Sequence, residues 1–448
     1  LMNDGTNSSI PTSQTPINKK KIVPNSRVKS DKRKGGQINH VKSNLSKFDD
    51  DDPKLEYVEY IEEKCPYCNS EKIKDLGIYK EKDSVDYEMI VHHYRNRFHI
   101  CECKKCGKEF NTKIPTRLKE ENQYGNNIDS LILTLSNIGN VPINKIQRII
   151  SGLTLNEINI SESYVCKVQK RASKSLIKNR FIDDLKRKII NLKIIHWDDT
   201  VIMINTKRAC MRFYGNKKLS LYTAHTNKNM ESLDDDNVLN ELSKKSIVMH
   251  DHNIVNYNSK YNFLNVECNQ HLIRDLQKVT NNIPNRTWSG NLKTLLQEYD
   301  HKRNKLIKEE KDEFSYDEIN DFLMKVDSYI LDGEKENSSD DKPYYAKKEK
   351  TLLERLVAFR DNYIYWILDF DIPFTNNSSE RKIRGIKSKM KVSGQFQDLN
   401  TARYYANIKS YIETCHSYGI NETYALSQLA NGTPLELKEI ICENEKSD

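Results

Sequence analysis

The chain has 448 residues, 37% of them apolar and 9% aromatic, which is enough for more than one cored domain. Its formal charge of +8, from 72 Lys+Arg against 64 Asp+Glu, hints only weakly at a polyanionic partner, because charge positions matter more than their sum. No run reaches the roughly 18 apolar residues that cross a bilayer, and "LMNDGTNSSIPTSQT" lacks a signal-peptide core, so membrane and secreted classes are excluded.

A cytoplasmic protein with no membrane partner is therefore expected. Its ten cysteines should be free, structural or metal-bound rather than disulfide-paired. An opening on Leu1 instead of Met points to missing upstream sequence. Residues 1–56, rich in Ser, Asn, Lys and Pro and ending in the acidic run Asp49–Asp52, read as a disordered linker.

Residues 57–116 read as a zinc-binding ribbon. "CPYC" (Cys65, Cys68) and "CKKCGK" (Cys103, Cys106) are paired CxxC units, each presenting two thiolates from a tight turn. Together they make a tetrahedral S4 shell suited to structural Zn2+. The gap between them exceeds the usual ribbon spacing, and "YEMIVHHYRNRFHICE" is expected to fill it as a hairpin. Cys101 is a spare that could replace Cys103. A redox pair is the rival, without the βαβ context it needs.

Residues 117–185 read as a helix-turn-helix. "NNIDSLILTLSNIGN", "VPINKIQRIISG" and "SESYVCKVQKRASKSLIKN" each place apolar residues on one helical face, the third after a Ser cap. Short helices with tight turns and a basic third member fit that motif, with a plain helical bundle as the alternative.

Near residue 190 the period changes to that of strands. Strands are expected near 193–204, 208–214 and 218–225, a helix near 230–243, strands in "KSIVMHD" and "NFLNVEC", and a helix from about Gln270. Residues 186–280 would be the first part of an α/β core with a ribonuclease-H-like mixed sheet. Residues 281–360 are a charged helical insertion, and 361–448 complete the core.

"HWDDT" sets Asp198 and Asp199 inside a strand flanked by Ile194, Ile195 and Val201 to Ile204. In the expected sheet, Asp198 lies beside the end of the fourth strand, where Asp251 sits in "IVMHDHN". A third acid, Glu380, opens "NNSSERKIRGIKSKMK", a helix that Asn377 or Ser378 can cap. Three carboxylates can seat a pair of Mg2+ ions. The cations that follow, Arg381, Lys382, Arg384, Lys387, Lys389 and Lys391, suit a phosphodiester backbone. Singly, each acid reads as structural; the order of the three lifts them above that background.

These residues resemble the DDE transposases of insertion sequence 66. The resemblance runs through "HWDDT", "VMHDHNIVNY", "CNQHLIRDL", "PFTNNSSERKIRGIKSKMKVSGQF" and "ALSQLANGTP". It extends upstream to "NSSIPTSQ", "GGQINH", both CxxC units and "VPINKIQRIISGLTLNEINISESYV", so it covers nearly the whole chain. It implies Asp198, Asp251 and Glu380 as the metal-binding catalytic triad. The family usually has Asp-Glu-Thr where Asp198-Asp199-Thr200 stands, which leaves Asp199 as a fallback. Cys268 and His271 match a CxxH element that several DDE families place after the second Asp; a packed pair beside the site and a direct role both stay open. Members often begin with a coiled-coil-like helix ahead of the Ser/Pro linker, and this chain starts at the linker, so self-association and full transposition are in question.

The implied activity is Mg2+-dependent cleavage and strand transfer, with two Mg2+ ions and Mn2+ as a substitute. Arg381, Arg384, Lys387, Lys389 and Lys391 would hold DNA. The implied partners are double-stranded DNA (the element's terminal inverted repeats and target DNA), further copies of the chain in the DNA complex, and accessory proteins of the same element. A prokaryotic, nucleoid-associated location follows. The alternatives are an inactive or repurposed transposase acting as a DNA-binding regulator, and a nuclease on the same fold.

Overall fold

A computed structural model describes residues 47–78, 80–115, 118, 120–283, 285–337 and 343–442. The linker expected over 1–56 therefore lies mostly outside the described residues. The described chain divides after His93 into two compact units. The first has no helix or strand among its described residues. Of the run expected to form a hairpin, only β1 (Ile100–Glu102) is a strand; it pairs antiparallel with β2 (Glu109–Asn111). The ladder thus frames the second CxxC turn instead of filling the gap between the two turns.

Four helices follow: α1 (Asn126–Asn137), α2 (Ile143–Leu153), α3 (Glu162–Lys178) and α4 (Phe181–Ile190). Pro142 precedes α2, and the Ser161 hydroxyl caps α3 by accepting from Tyr164 N at 3.2 Å. Ile132, Ile146, Val165, Val168 and Leu176, spaced for one helical face, are all buried in a common core.

The sheet opens with an antiparallel meander, β3 (Ile194–Ile204), β4 (Lys207–Gly215) and β5 (Ser220–His225). Asn205 and Thr206 turn the first hairpin with φ of 43° and 63°, the left-handed geometry a two-residue turn needs. α5 (Met230–Asp236) is shorter than the helix expected over 230–243. Asn237 adopts a left-handed conformation and ends it, and only a single 3-10 turn, Leu239–Glu241, follows. β6 (Ile247–His250) and β7 (Leu264–Glu267) then join in parallel, giving the order β5-β4-β3-β6-β7. This mixed five-stranded α/β sheet is compatible with a ribonuclease-H-like core.

After α6 (Asn269–Asn282) the chain makes four more helices: α7 (Trp288–Lys308), α8 (Tyr316–Asn337), α9 (Pro343–Ala358) and α10 (Arg360–Leu368). Their core continues that of β6, β7 and α6. The chain returns to the meander through α11 (Asn377–Ser393) and α12 (Leu399–Ser417), and ends in α13 (Glu422–Ala430) and α14 (Leu437–Cys442). β5 is an edge strand. The α12 hydroxyls of Ser410 and Thr414 accept from Tyr222 N (2.8 Å) and Ser220 N (3.3 Å), so α12 covers two outward amides of that edge. No described helix is long and apolar enough to cross a membrane.

Candidate functional site

The parallel β3–β6 ladder pairs Ile194 with Ile247, Ile195 with Val248 and His196 with Met249. Carried two residues further, the same register sets Asp198 beside Asp251, just past the carboxyl end of β6, where ligands meet open sheets. The loop after Asp251 is anchored at several points. Asn256 Nδ2 donates to Asp251 O (3.2 Å), and the buried Glu267 binds His252 Nδ1 (2.7 Å) and the Tyr257 hydroxyl (2.5 Å).

Burial, then the charge of Asp251, then that of Asp199 push the half-buried Asp198 carboxyl up to about 8, while Lys387 pulls the other way. Because successive strand residues face opposite sides, Asp199 turns away from Asp198. It pairs with Lys228 at 2.7 Å.

Glu380 stands in the first turn of α11. Its Oε1 is 4.0 Å from His271 Nδ1, and its Oε2 lies 3.7 Å from Arg384 and 4.0 Å from Arg274. The same His271 Nδ1 is 3.1 Å from Asp251 Oδ1. That distance suits an ion pair, but the alignment falls short of a hydrogen bond. Asp251 Oδ1, His271 Nδ1 and Glu380 Oε1 are therefore buried atoms without a hydrogen-bond partner. Burial opposes charge on His271, but Asp251 and the Cys268 sulfur outweigh it and hold the imidazole at about 10. The ligand atoms of Asp251, Cys268 and His271 lie within 4.8 Å of one another.

The basic row of α11 splits between two faces. Arg381, Arg384 and Lys391 are exposed, and Lys387 is half-buried within reach of the Asp198 charge. Lys382 is tied to Glu413 (3.0 Å) and Ser417 (2.7 Å). Lys389 turns inward: its Nζ donates to Ser393 Oγ and lies 5.8 and 5.4 Å from the rings of Phe396 and Tyr405.

Asn376 and His196 were missed in the sequence. The helix was expected to be capped by Asn377 or Ser378, but Asn376 holds the N-cap position and its side chain makes no capping bond. That amide reaches back to β3 instead, between His196 Nδ1 (2.7 Å) and Trp197 O (3.0 Å). The doubled Asn was the only sequence signal.

The two CxxC turns, each taken by itself, share one backbone design. Cys65 N donates to Ser70 O (2.9 Å) and Asn69 N to Cys65 O (2.8 Å); Cys103 N donates to Lys108 O (2.9 Å) and Gly107 N to Cys103 O (2.7 Å). Asn69 and Gly107, at the matching positions, have φ of 59° and 67°. Amides of Tyr67 and Cys68 lower the Cys65 thiol, and those of Lys105 and Cys106 lower Cys103. That is the electrostatic setting of thiolate ligands.

In the helical region, α3 exposes Lys167, Lys170, Lys174 and Lys178 along one face. Arg171 is held by Asp129 at 2.6 Å.

Among known proteins, the sequence pattern described as "Transposase IS66 family" matches residues 121–404, more than half of the chain. No curated protein matches it.

Proposed function

The chain belongs to the IS66 family of transposases, and from that premise we propose that Asp198, Asp251 and Glu380 form the site at which DNA ends are cut and joined. The observation that carries this reading is the meeting of three acids from separate elements. The β3–β6 register, carried past its last pair, sets Asp251 beside Asp198, and Asp251 and Glu380 share His271.

The residues fit a divalent cation. Buried carboxylate oxygens without a hydrogen-bond partner, and a carboxyl raised by burial and then by its acidic neighbours, are what a hard, oxygen-preferring ion relieves. Two Mg2+ ions, or Mn2+, held by Asp198, Asp251 and Glu380 would supply activation of the attacking hydroxyl and neutralisation of the leaving oxygen. Cys268 and His271 organise the acids around them. Arg381, Arg384, Lys387 and Lys391 hold the phosphodiester backbone beside the scissile bond.

The reaction is hydrolysis at the element end, which frees a 3′-OH, followed by attack of that 3′-OH on target DNA. The α1–α3 region acts as the helix-turn-helix that meets the terminal inverted repeats. The paired CxxC pattern of Cys65, Cys68, Cys103 and Cys106 in the sequence supports a structural Zn2+ that these thiolates would hold. Joining two ends to one target calls for more than one copy on the DNA, with accessory proteins of the element as further partners.

The test uses labelled duplexes carrying the element's terminal repeat. Wild type should nick and join them with Mg2+, while Asp198→Asn and Glu380→Gln bind equally and lose about 1,000-fold or more in rate, the equivalent of roughly 4 kcal/mol. Binding by all three with cleavage by none, even with the element's other proteins present, would identify a DNA-binding regulator instead.

A further inference from the structure

We infer that Asn376 is the positioning residue that sets Glu380 against the acids of the sheet, with His196 as its partner. The inference rests on the metal-site reading above and adds what holds that site in shape.

Glu380 reaches the sheet only after the whole helical insertion, so something must fix where the returning chain lands. The last residues before α11 are fastened to two elements that bear site residues. Phe374 O accepts from Asn269 N at 3.2 Å, and Asn376 N donates to Cys268 Sγ at 3.2 Å, both at the start of α6, the helix of His271. The Asn376 side chain bonds to β3, and its carbonyl accepts from Glu380 N (3.1 Å) and Ser379 Oγ (2.9 Å). One fully buried residue thus touches the residues just before Asp198, the cap of the His271 helix and the backbone of Glu380.

The chemistry admits few substitutes. A main-chain carbonyl only accepts, so Asn376 Nδ2 must face Trp197 O. Its Oδ1 must then accept from His196, whose Nδ1 carries the proton. The β3–β6 ladder stops at the His196–Met249 pair, and Asn376 bonds the next carbonyl of β3. An apolar residue would strand a buried carbonyl and a buried imidazole N–H. Asp would turn an acceptor toward a carbonyl. Asn376 touches no reacting atom; it holds the shape in which three carboxylates converge, and such support governs ion affinity.

The test follows thermal unfolding of the full chain as Mn2+ is titrated, without DNA. Mn2+ favours oxygen ligands and competes poorly for the CxxC thiolates. The wild-type midpoint should rise with Mn2+, and Asp198→Asn should abolish the rise. Asn376→Ala should unfold within a few degrees of wild type without Mn2+, yet need about 10- to 100-fold more Mn2+ for the same shift. His196→Ala should move the same way. His196→Asn, whose amide nitrogen stands where Nδ1 was, should recover most of the loss.

Asn376→Ala with wild-type Mn2+ dependence overturns the inference. So does His196→Asn behaving no better than His196→Ala, and this pair carries the test if Asn376→Ala does not fold. A wild-type chain that ignores Mn2+ just as Asp198→Asn does overturns the metal site itself, and the inference with it.

Discussion

Asp251 and Glu380, separated in sequence by the entire helical insertion, converge on one ring nitrogen: His271 Nδ1 lies 3.1 Å from Asp251 Oδ1 and 4.0 Å from Glu380 Oε1. A cationic imidazole there offsets the repulsion between the two acids. His271→Ala should therefore lower stability without Mg2+ by about 1 kcal/mol, a modest figure because all three side chains keep some solvent contact. Added Mg2+ should restore most of the loss. Urea unfolding with and without Mg2+ checks this, and an equal deficit in both conditions would count against it.

Lys389 offers a pH-dependent test away from the acids. Burial lowers it to about 8 from 10.5. Below pH 8 both folded and unfolded chains carry the proton, and the fold bears the full cost of a buried charge. Between 8 and 10.5 the folded chain releases its proton first, so the cost falls as pH rises. The rings of Phe396 and Tyr405 return part of it through cation–π attraction. Lys389→Met should thus stabilise the protein by about 1–2 kcal/mol at pH 7, with little gain at pH 10.5. Denaturant midpoints at the two values decide it.

The two faces of α11 should separate in DNA binding. Arg384→Ala and Lys391→Ala should each weaken binding on any sequence and make the plot of log affinity against log salt shallower by about 1. Lys389→Met should leave that slope unchanged. Filter binding or anisotropy across a salt series reads all three variants, and equal slopes throughout would remove α11 from the DNA surface.

Gly333 tests the packing of the insertion. A Cβ there would stand 2.6 Å from Leu353 Cδ2 and 2.8 Å from Trp288 Cδ2. Trp288 cannot retreat, because its Nε1 donates to the fully buried Glu349 at 2.7 Å, which also binds Arg286 and Asn337. Gly333→Ala should cost about 1–3 kcal/mol despite the better helix propensity of Ala. Calorimetry checks it, and a neutral result would mean that α8 and α9 can part.

Much of this was legible in the sequence, for physical reasons. The apolar run Ile194, Ile195 and Val201 to Ile204 around two acids marked β3; the opposed directions of Asp198 and Asp199 come from the pleat of the strand. The spacing of isoleucines and valines marked α1 to α3, and the order of strands and helix after residue 190 set β3 beside the strand that ends before Asp251. The early end of α5 was hidden, because Asn237 supplies a stop that periodicity does not weigh. Inward Lys389 was hidden as well, since its environment is made by Phe396 and Tyr405 on other segments. Asn376 was least visible: its role lies in partners on β3 and α6, and a lone buried amide has no spacing rule.

Helix α12 belongs to two cores at once. Ala402, Tyr405 and Ala406 pack with the meander and α11, while Ile408, Tyr411, Ile412 and Cys415 pack with α1 to α4, and Asn407 bonds Ser173 of α3. The helices upstream of the sheet are therefore not a detachable cassette. Exchanging that segment wholesale would strip Ile408, Tyr411 and Ile412 of their apolar partners unless the replacement rebuilt the same buried surface. Outward positions such as Lys167, Lys170 and Lys174 can change without disturbing that shared core.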